Sequence, residues 1–179
     1  MCAERSNHCD TMEKEFASMT LRDLVDNVQL VMSAKYVKNL VKTIRDVRLK
    51  KFDHDSDSGE QIFTAQAIGK SVSGKKQSKS APKGPFIPRI VYPDTGFDRP
   101  DYNTDTAMVG CTCFGYRFFC YVANKAARVH TGPGFPTYKR KTPVGSKRYP
   151  EKNPDRIPNV CKHISALAFH LVNEGYIDD

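Results

Sequence analysis

Met108-Val109-Gly110-Cys111-Thr112-Cys113 and Val160-Cys161-Lys162-His163-Ile164 are the stretches that decide this chain, because between them they supply three thiols and one imidazole in tight pairs. Alternate residues of an extended strand point to the same face, so Cys111 and Cys113 converge on one point if the strand bends slightly. In a regular helix they would stand about 200° apart. The same geometry keeps Cys161 and His163 out of one regular helix and places Cys161 at the N-cap of the helix that follows. There its thiolate is expected to accept backbone N–H groups and to feel the positive helix end, which lowers its pKa and favours a metal-bound form. Structural zinc takes sulfur at about 2.3 Å and imidazole nitrogen at about 2.0 Å, with four ligands and no open position. Cys111, Cys113, Cys161 and His163 are therefore read as one structural zinc site. The competing reading is a set of small buried thiols in a reduced protein.

Composition bounds what surrounds that site. One domain is expected for 179 residues, enough for a single sizeable core. A formal net charge of +8 and a pI near 9.2 point to polyanions or acidic partners. Six cysteines permit a disulfide framework, but the residues from Met1 to Cys9 contain no apolar signal segment. A reducing compartment is therefore expected, where paired Cys and His serve more often as metal ligands than as disulfides. No apolar run reaches the ~20 residues of a membrane span, so a soluble protein is expected.

The chain divides by texture into an N-terminal arm (1–19), an α+β scaffold (20–104) with a basic loop at 69–84, and a zinc-binding unit (105–179) with a long basic loop at 128–158. The arm carries Cys2, His8 and Cys9, read as incidental rather than as a second metal site. Thr20 is placed as the N-cap of a helix whose apolar face is Leu21, Leu24, Val25, Val28 and Val31. From Val41 the pattern is read as alternating, giving a strand with Ile44, Val47, Leu49 and Phe52 that pairs with Ile62–Ile68 across an acidic turn. That turn, Asp53 to Glu60, resembles a calcium loop but lacks the glycine and the bidentate Glu of one. Gly69-Lys70-Ser71 resembles the end of a phosphate-binding loop but lacks its first glycine. Phe86–Pro93 is read as an edge strand bounded by prolines.

Phe114 to Val122 is apolar and aromatic, and its length permits either a strand or a short helix running into Ala127; Cys120 within it is read as a buried thiol. Residues 69–84 hold five lysines and no acid. From Arg128 to His163 there are nine Lys and Arg against Glu151 and Asp155, so most of the net charge lies there. Zinc at both ends of the 128–158 loop would staple it. Ile164, Leu167, Ala168, Leu171 and Val172 form the apolar face of a final helix, with Gly175 as its C′ residue and His170 outside the metal site. The fold class expected is α+β: a small antiparallel sheet with an N-terminal helix and a zinc-stapled strand, long loop and C-terminal helix.

Cys-x-Cys on a strand followed by Cys-x-His opening a helix resembles the SWIM-type zinc domain. Tyr138-Lys139-Arg140-Lys141-Thr142-Pro143, Lys152-Asn153-Pro154 and Ile157-Pro158 before Cys161-Lys162-His163 are similar to SWIM-like proteins encoded among virion structural genes of tailed bacteriophages. The resemblance covers roughly residues 105–172. It departs at Cys113-Phe114-Gly115, where that group often has Cys-Pro-Asp. It implies a virion component, present in the particle and in host cytoplasm during assembly, with other virion proteins in multiple symmetric copies as partners. Three Cys and one His leave no vacant position for water, so no enzymatic activity and no small-molecule substrate are expected. The alternative is a nucleic-acid-binding or regulatory zinc module in which Lys139, Arg140, Lys141, Lys147 and Arg148 neutralise phosphates.

Overall fold

The structure, a computed structural model, describes residues 18–56, 59–69, 84–93, 95–96, 98–135 and 153–179. The expected arm with Cys2, His8 and Cys9 lies outside the described residues apart from its end at 18–19. So do 70–83 of the first basic loop and 136–152 of the second.

The architecture is mixed α+β, with helices packed against a four-stranded antiparallel sheet of order β1-β2-β3-β4. Thr20 starts helix α1 (Leu21–Asp26) through a reciprocal cap: its hydroxyl accepts from the Asp23 N–H, and the Asp23 carboxylate accepts from the Thr20 N–H. A short turn, α2 (Val28–Val31), follows. Ser33 then caps α3 (Ala34–Ile44).

This third helix corrects the sequence reading, which began a strand at Val41. Val37, Leu40, Val41 and Ile44 recur at steps of three and four, the helical period, and the Ser33 cap precedes them. The strand begins only at Arg48: β1 spans Arg48–Asp55 and pairs with β2 (Gln61–Ile68) as an antiparallel hairpin. Between Lys50 and Asp53 the register slips, and Lys51 takes a positive φ of 48°, the signature of a β-bulge.

β3 (Pro88–Tyr92) was expected at an edge but lies between β2 and β4 (Met108–Cys111). Its prolines flank the ladder rather than interrupt it. Pro88 holds the first strand position, where a missing N–H is tolerated, and Pro93 lies past the end. The outer side of β4 is covered in turn by 129–131, through Val109 N–H to the Val129 carbonyl (2.8 Å) and Thr131 N–H to the Val109 carbonyl (3.1 Å).

The aromatic run after Cys113 is helical: a π-helical turn (Tyr116–Cys120) continues into α4 (Tyr121–Ala126). The last helix, α5 (Lys162–Asn173), packs against β2, β3 and β4 on one side and α3 on another. It is buried over most of its circumference, with Ile164, Leu167 and Leu171 fully enclosed. Gly175 ends it at φ 71°. The Tyr176 N–H reaches the Leu171 carbonyl and the Gly175 N–H that of Val172, the Schellman arrangement. No helix among the described residues is long and apolar enough to cross a membrane.

Candidate metal centre

The four ligands expected from the sequence come together. One donor atom each from Cys111, Cys113, Cys161 and His163 lies within 4.8 Å of the others, and all four residues are buried. Each is delivered by a different local device. Cys111 is the last residue of β4, opposite Pro88. Thr112 closes the sheet beyond it, its hydroxyl accepting from the Ile87 N–H at 2.9 Å and its N–H donating to the Ile87 carbonyl. Cys113 has already left the strand, so the bend is a full change of element rather than a slight curve. Its carbonyl accepts from Arg117 N–H and its sulfur from Tyr116 N–H at 3.2 Å, which makes Cys113 the cap of the helical segment that follows.

Cys161 is the N-cap of α5, in extended geometry (φ −93°, ψ 165°). The expected thiolate cap is corrected in two respects: burial pushes the Cys161 thiol well above its usual pKa instead of lowering it, the Ile164 N–H offsetting only a small part of this, and the side chain makes no hydrogen bond of cap geometry. His163 sits in the first turn of α5 with Nδ1 3.9 Å from the Cys111 sulfur, and its ring tilts over Phe86 at 4.8 Å. Two helix starts thus point at one cluster, each bringing the positive end of its peptide dipoles toward sulfur.

The electrostatics of the bare cluster are lopsided. Cys113 accepts hydrogen bonds from Cys111 and Cys161, which holds it well below the usual thiol range. Burial pushes Cys111 well up, and its neighbouring thiols add to this. Burial also draws down Lys162, with Cys113 and Cys161 partly restoring it.

A divalent ion fits this donor set. A tetrahedral ion with sulfur bonds of about 2.3 Å places its donors about 3.7 Å apart, a small contraction from what is seen. Nδ1 of His163, 3.9 Å from the Cys111 sulfur, is the ring nitrogen placed to meet an ion, while Nε2 is buried without a hydrogen-bond partner among the described residues. The cluster can hold a metal ion, which would supply the positive charge that three buried thiolates require. Cys120 is buried but is not part of the cluster, and burial pushes its thiol well up. His170 packs edge-on to Phe52 at 5.1 Å. Lys139, Arg140, Lys141, Lys147 and Arg148 lie outside the described residues.

A buried polar network beside the cluster was not anticipated. Asn124, on α4, holds the backbone of Asn159 on both sides: its amide donates to the Asn159 carbonyl (2.8 Å) and its oxygen accepts from the Asn159 N–H (2.9 Å). Asn153 does the same for Ile157. The Tyr116 hydroxyl donates to the Val109 carbonyl (2.7 Å) and faces Nδ1 of His130 (2.8 Å). The Tyr116–His130 and Asn124–Asn159 contacts fasten the two ends of the 128–158 excursion to the body, while Asn153 braces its own turn.

Comparisons of the chain with protein-family models, with curated proteins and with solved structures find no match. The fold and site define a mixed α+β protein with a buried Cys3His cluster suited to a metal ion.

Proposed function

We propose that the chain binds one structural zinc ion through Cys111, Cys113, Cys161 and His163, catalyses no reaction, and serves as an assembly component of a tailed-bacteriophage virion. The observation that supports the structural role is enclosure: the four ligands expose only 4%, 4%, 8% and 3% of their surfaces, as a closed structural site requires. Zinc is favoured over other metals by a donor set of three sulfurs and one nitrogen. When bound, it neutralises the thiolates and ties β4, the start of the aromatic helix and the start of α5 together across the 128–158 excursion. Because metal affinity then becomes folding free energy, the ion holds a small body rigid, from which the basic segments make contacts with neighbours.

The virion assignment rests on the SWIM-like resemblance over residues 105–172. Mass spectrometry of purified particles of the phage encoding the chain is the test: multiple copies in the particle support the assignment and absence from it overturns it. The net charge of +8 favours the nucleic-acid module as second reading. Replacing Lys139, Arg140 and Lys141 by Ala separates the two. Lost incorporation with unchanged DNA binding supports assembly, whereas weaker DNA binding with a flatter salt dependence supports the nucleic-acid module.

A further inference from the structure

Helix α3 carries its charge as a stripe. Lys35, Lys38 and Lys42 with the C-cap Arg45 follow at steps of three and four, so they share one face, and all four are exposed. The helix contains no Asp or Glu. Among the described residues none of the four is ion-paired. Beside the stripe a groove of about 630 Å³ opens between α3, the start of β1 and α5. Val41, Ile44, Val47, Leu49 and Phe169 wall it with carbon, and Arg45 stands at its edge. Val41 is 52% and Phe169 55% exposed, a cost in water that a partner would remove.

We propose that this groove docks an acidic amphipathic helix of a partner protein, whose apolar side chains enter between Val41 and Phe169 while carboxylates along its flank meet Lys38, Lys42 and Arg45. Three other occupants fit less well. A second copy of the chain, meeting this face across a two-fold axis, would set the lysine stripe against itself. An added strand would have to pair with β1, the sheet edge nearest the groove. That edge is blunted by the bulge at Lys51 (φ 48°) and by exposed Lys50 and Lys51, the usual devices against edge pairing. A nucleic-acid backbone would suit the lysines but gains nothing from aliphatic walls, and among the described residues Phe169 and His170 are the only rings lining the groove, too few for a base-stacking platform. Helix-in-groove recognition uses both features at once, an apolar seam and a charged flank. The inference is independent of the metal and of the virion assignment.

The probe is a fluorescein-labelled peptide of about 15 residues, long enough at 1.5 Å per residue to run the length of α3, with Leu along one face and Glu on the other. Anisotropy titrations with the full chain should give saturable binding. Phe169→Ser alone, and Lys38→Glu with Lys42→Glu and Arg45→Glu together, should each weaken it about tenfold. Phe169 is 55% exposed, so Phe169→Ser should melt close to the parent; the triple charge reversal sets carboxylates at the C-terminal end of α3 and should melt somewhat lower, so its binding is read well below that transition. A scrambled peptide of equal composition should not saturate. The proposal is overturned if the patterned peptide does not bind, if the scrambled one binds equally well, or if Phe169→Ser leaves binding unchanged. It is also overturned if a single-stranded oligonucleotide of equal charge binds more tightly than the peptide.

Discussion

Replacing Gly110 by Ala tests the join between the ligand strand and the segment that covers it. A Cβ at Gly110 would fall inside contact distance of the Thr131 carbonyl oxygen and 3.1 Å from its carbonyl carbon, and both are backbone, with no side chain able to swing away. The segment around Thr131 must retreat by on the order of 1 Å to restore ordinary contact. That retreat stretches the two hydrogen bonds joining 129–131 to Val109, at 2.8 and 3.1 Å. Each contributes about 0.5–1.5 kcal/mol net and the overpacking costs about 1–3 kcal/mol, so the expected loss is about 2–6 kcal/mol. At about 2–4 °C per kcal/mol for a chain of this size, the melting temperature should fall by about 5–20 °C. Gly115→Ala is the matched control. Gly115 is helical (φ −58°, ψ −48°), and a Cβ there would meet only the Cys113 sulfur at 3.8 Å. Adding a methyl should stabilise by about 0.5–1 kcal/mol through the unfolded chain. Calorimetry on the two variants should therefore show shifts of opposite sign. A Gly110→Ala protein that melts within a degree or two of the parent would refute the packing of 129–131 against β4.

Asn124→Ala strips both hydrogen bonds from the Asn159 backbone and leaves those groups buried, at about 1–3 kcal/mol each; urea unfolding should show a lower midpoint with an unchanged slope. His130 is held below its usual pKa by burial, so the folded state binds a proton less readily than the unfolded one. Its contribution is present above about pH 6.5 and is lost as pH falls through and below that value. The parent should thus lose melting temperature more steeply between pH 7.5 and 5.5 than His130→Gln does, and parallel curves would dismiss the effect. Gly175→Ala forces a side chain into φ 71° and should cost about 1 kcal/mol of stability in the same assay.

What could be read from the residues, and what could not, follows from the range of the forces involved. Local chemistry was legible: the Thr20 capping box, the Gly175 helix stop, the β1–β2 hairpin and the ligand pairs are each set by a few neighbouring residues. The sheet position of β3 was not, because flanking prolines look the same whether they bound an edge strand or a central one. Helix α3 was missed because the strand was begun too early: the steps from Val41 to Ile44 and Val47 are three residues each and belong to a helical period, and only Val47 to Leu49 alternates, while the Ser33 cap marks the helix start. The Phe114–Val122 run has residues that suit a strand, and its helix is started by the Cys113 cap rather than by propensity. The Asn124–Asn159 and Tyr116–His130 contacts join residues far apart in the chain, and single polar residues in a loop give no sign that they will be buried together. The groove beside α3 arises from three elements meeting and has no counterpart in any one stretch of sequence.

The central claim is that the cluster binds a structural ion. Elemental analysis with native mass spectrometry on the purified chain should find about one equivalent of zinc. Cys161→Ser should lose it and show faster amide exchange at 108–116 and 160–168, where β4 and α5 are joined through the ion, while His170→Ala should retain both metal and protection. A Cys161→Ser protein that keeps its full zinc content, or a parent chain that binds none, would contradict the account.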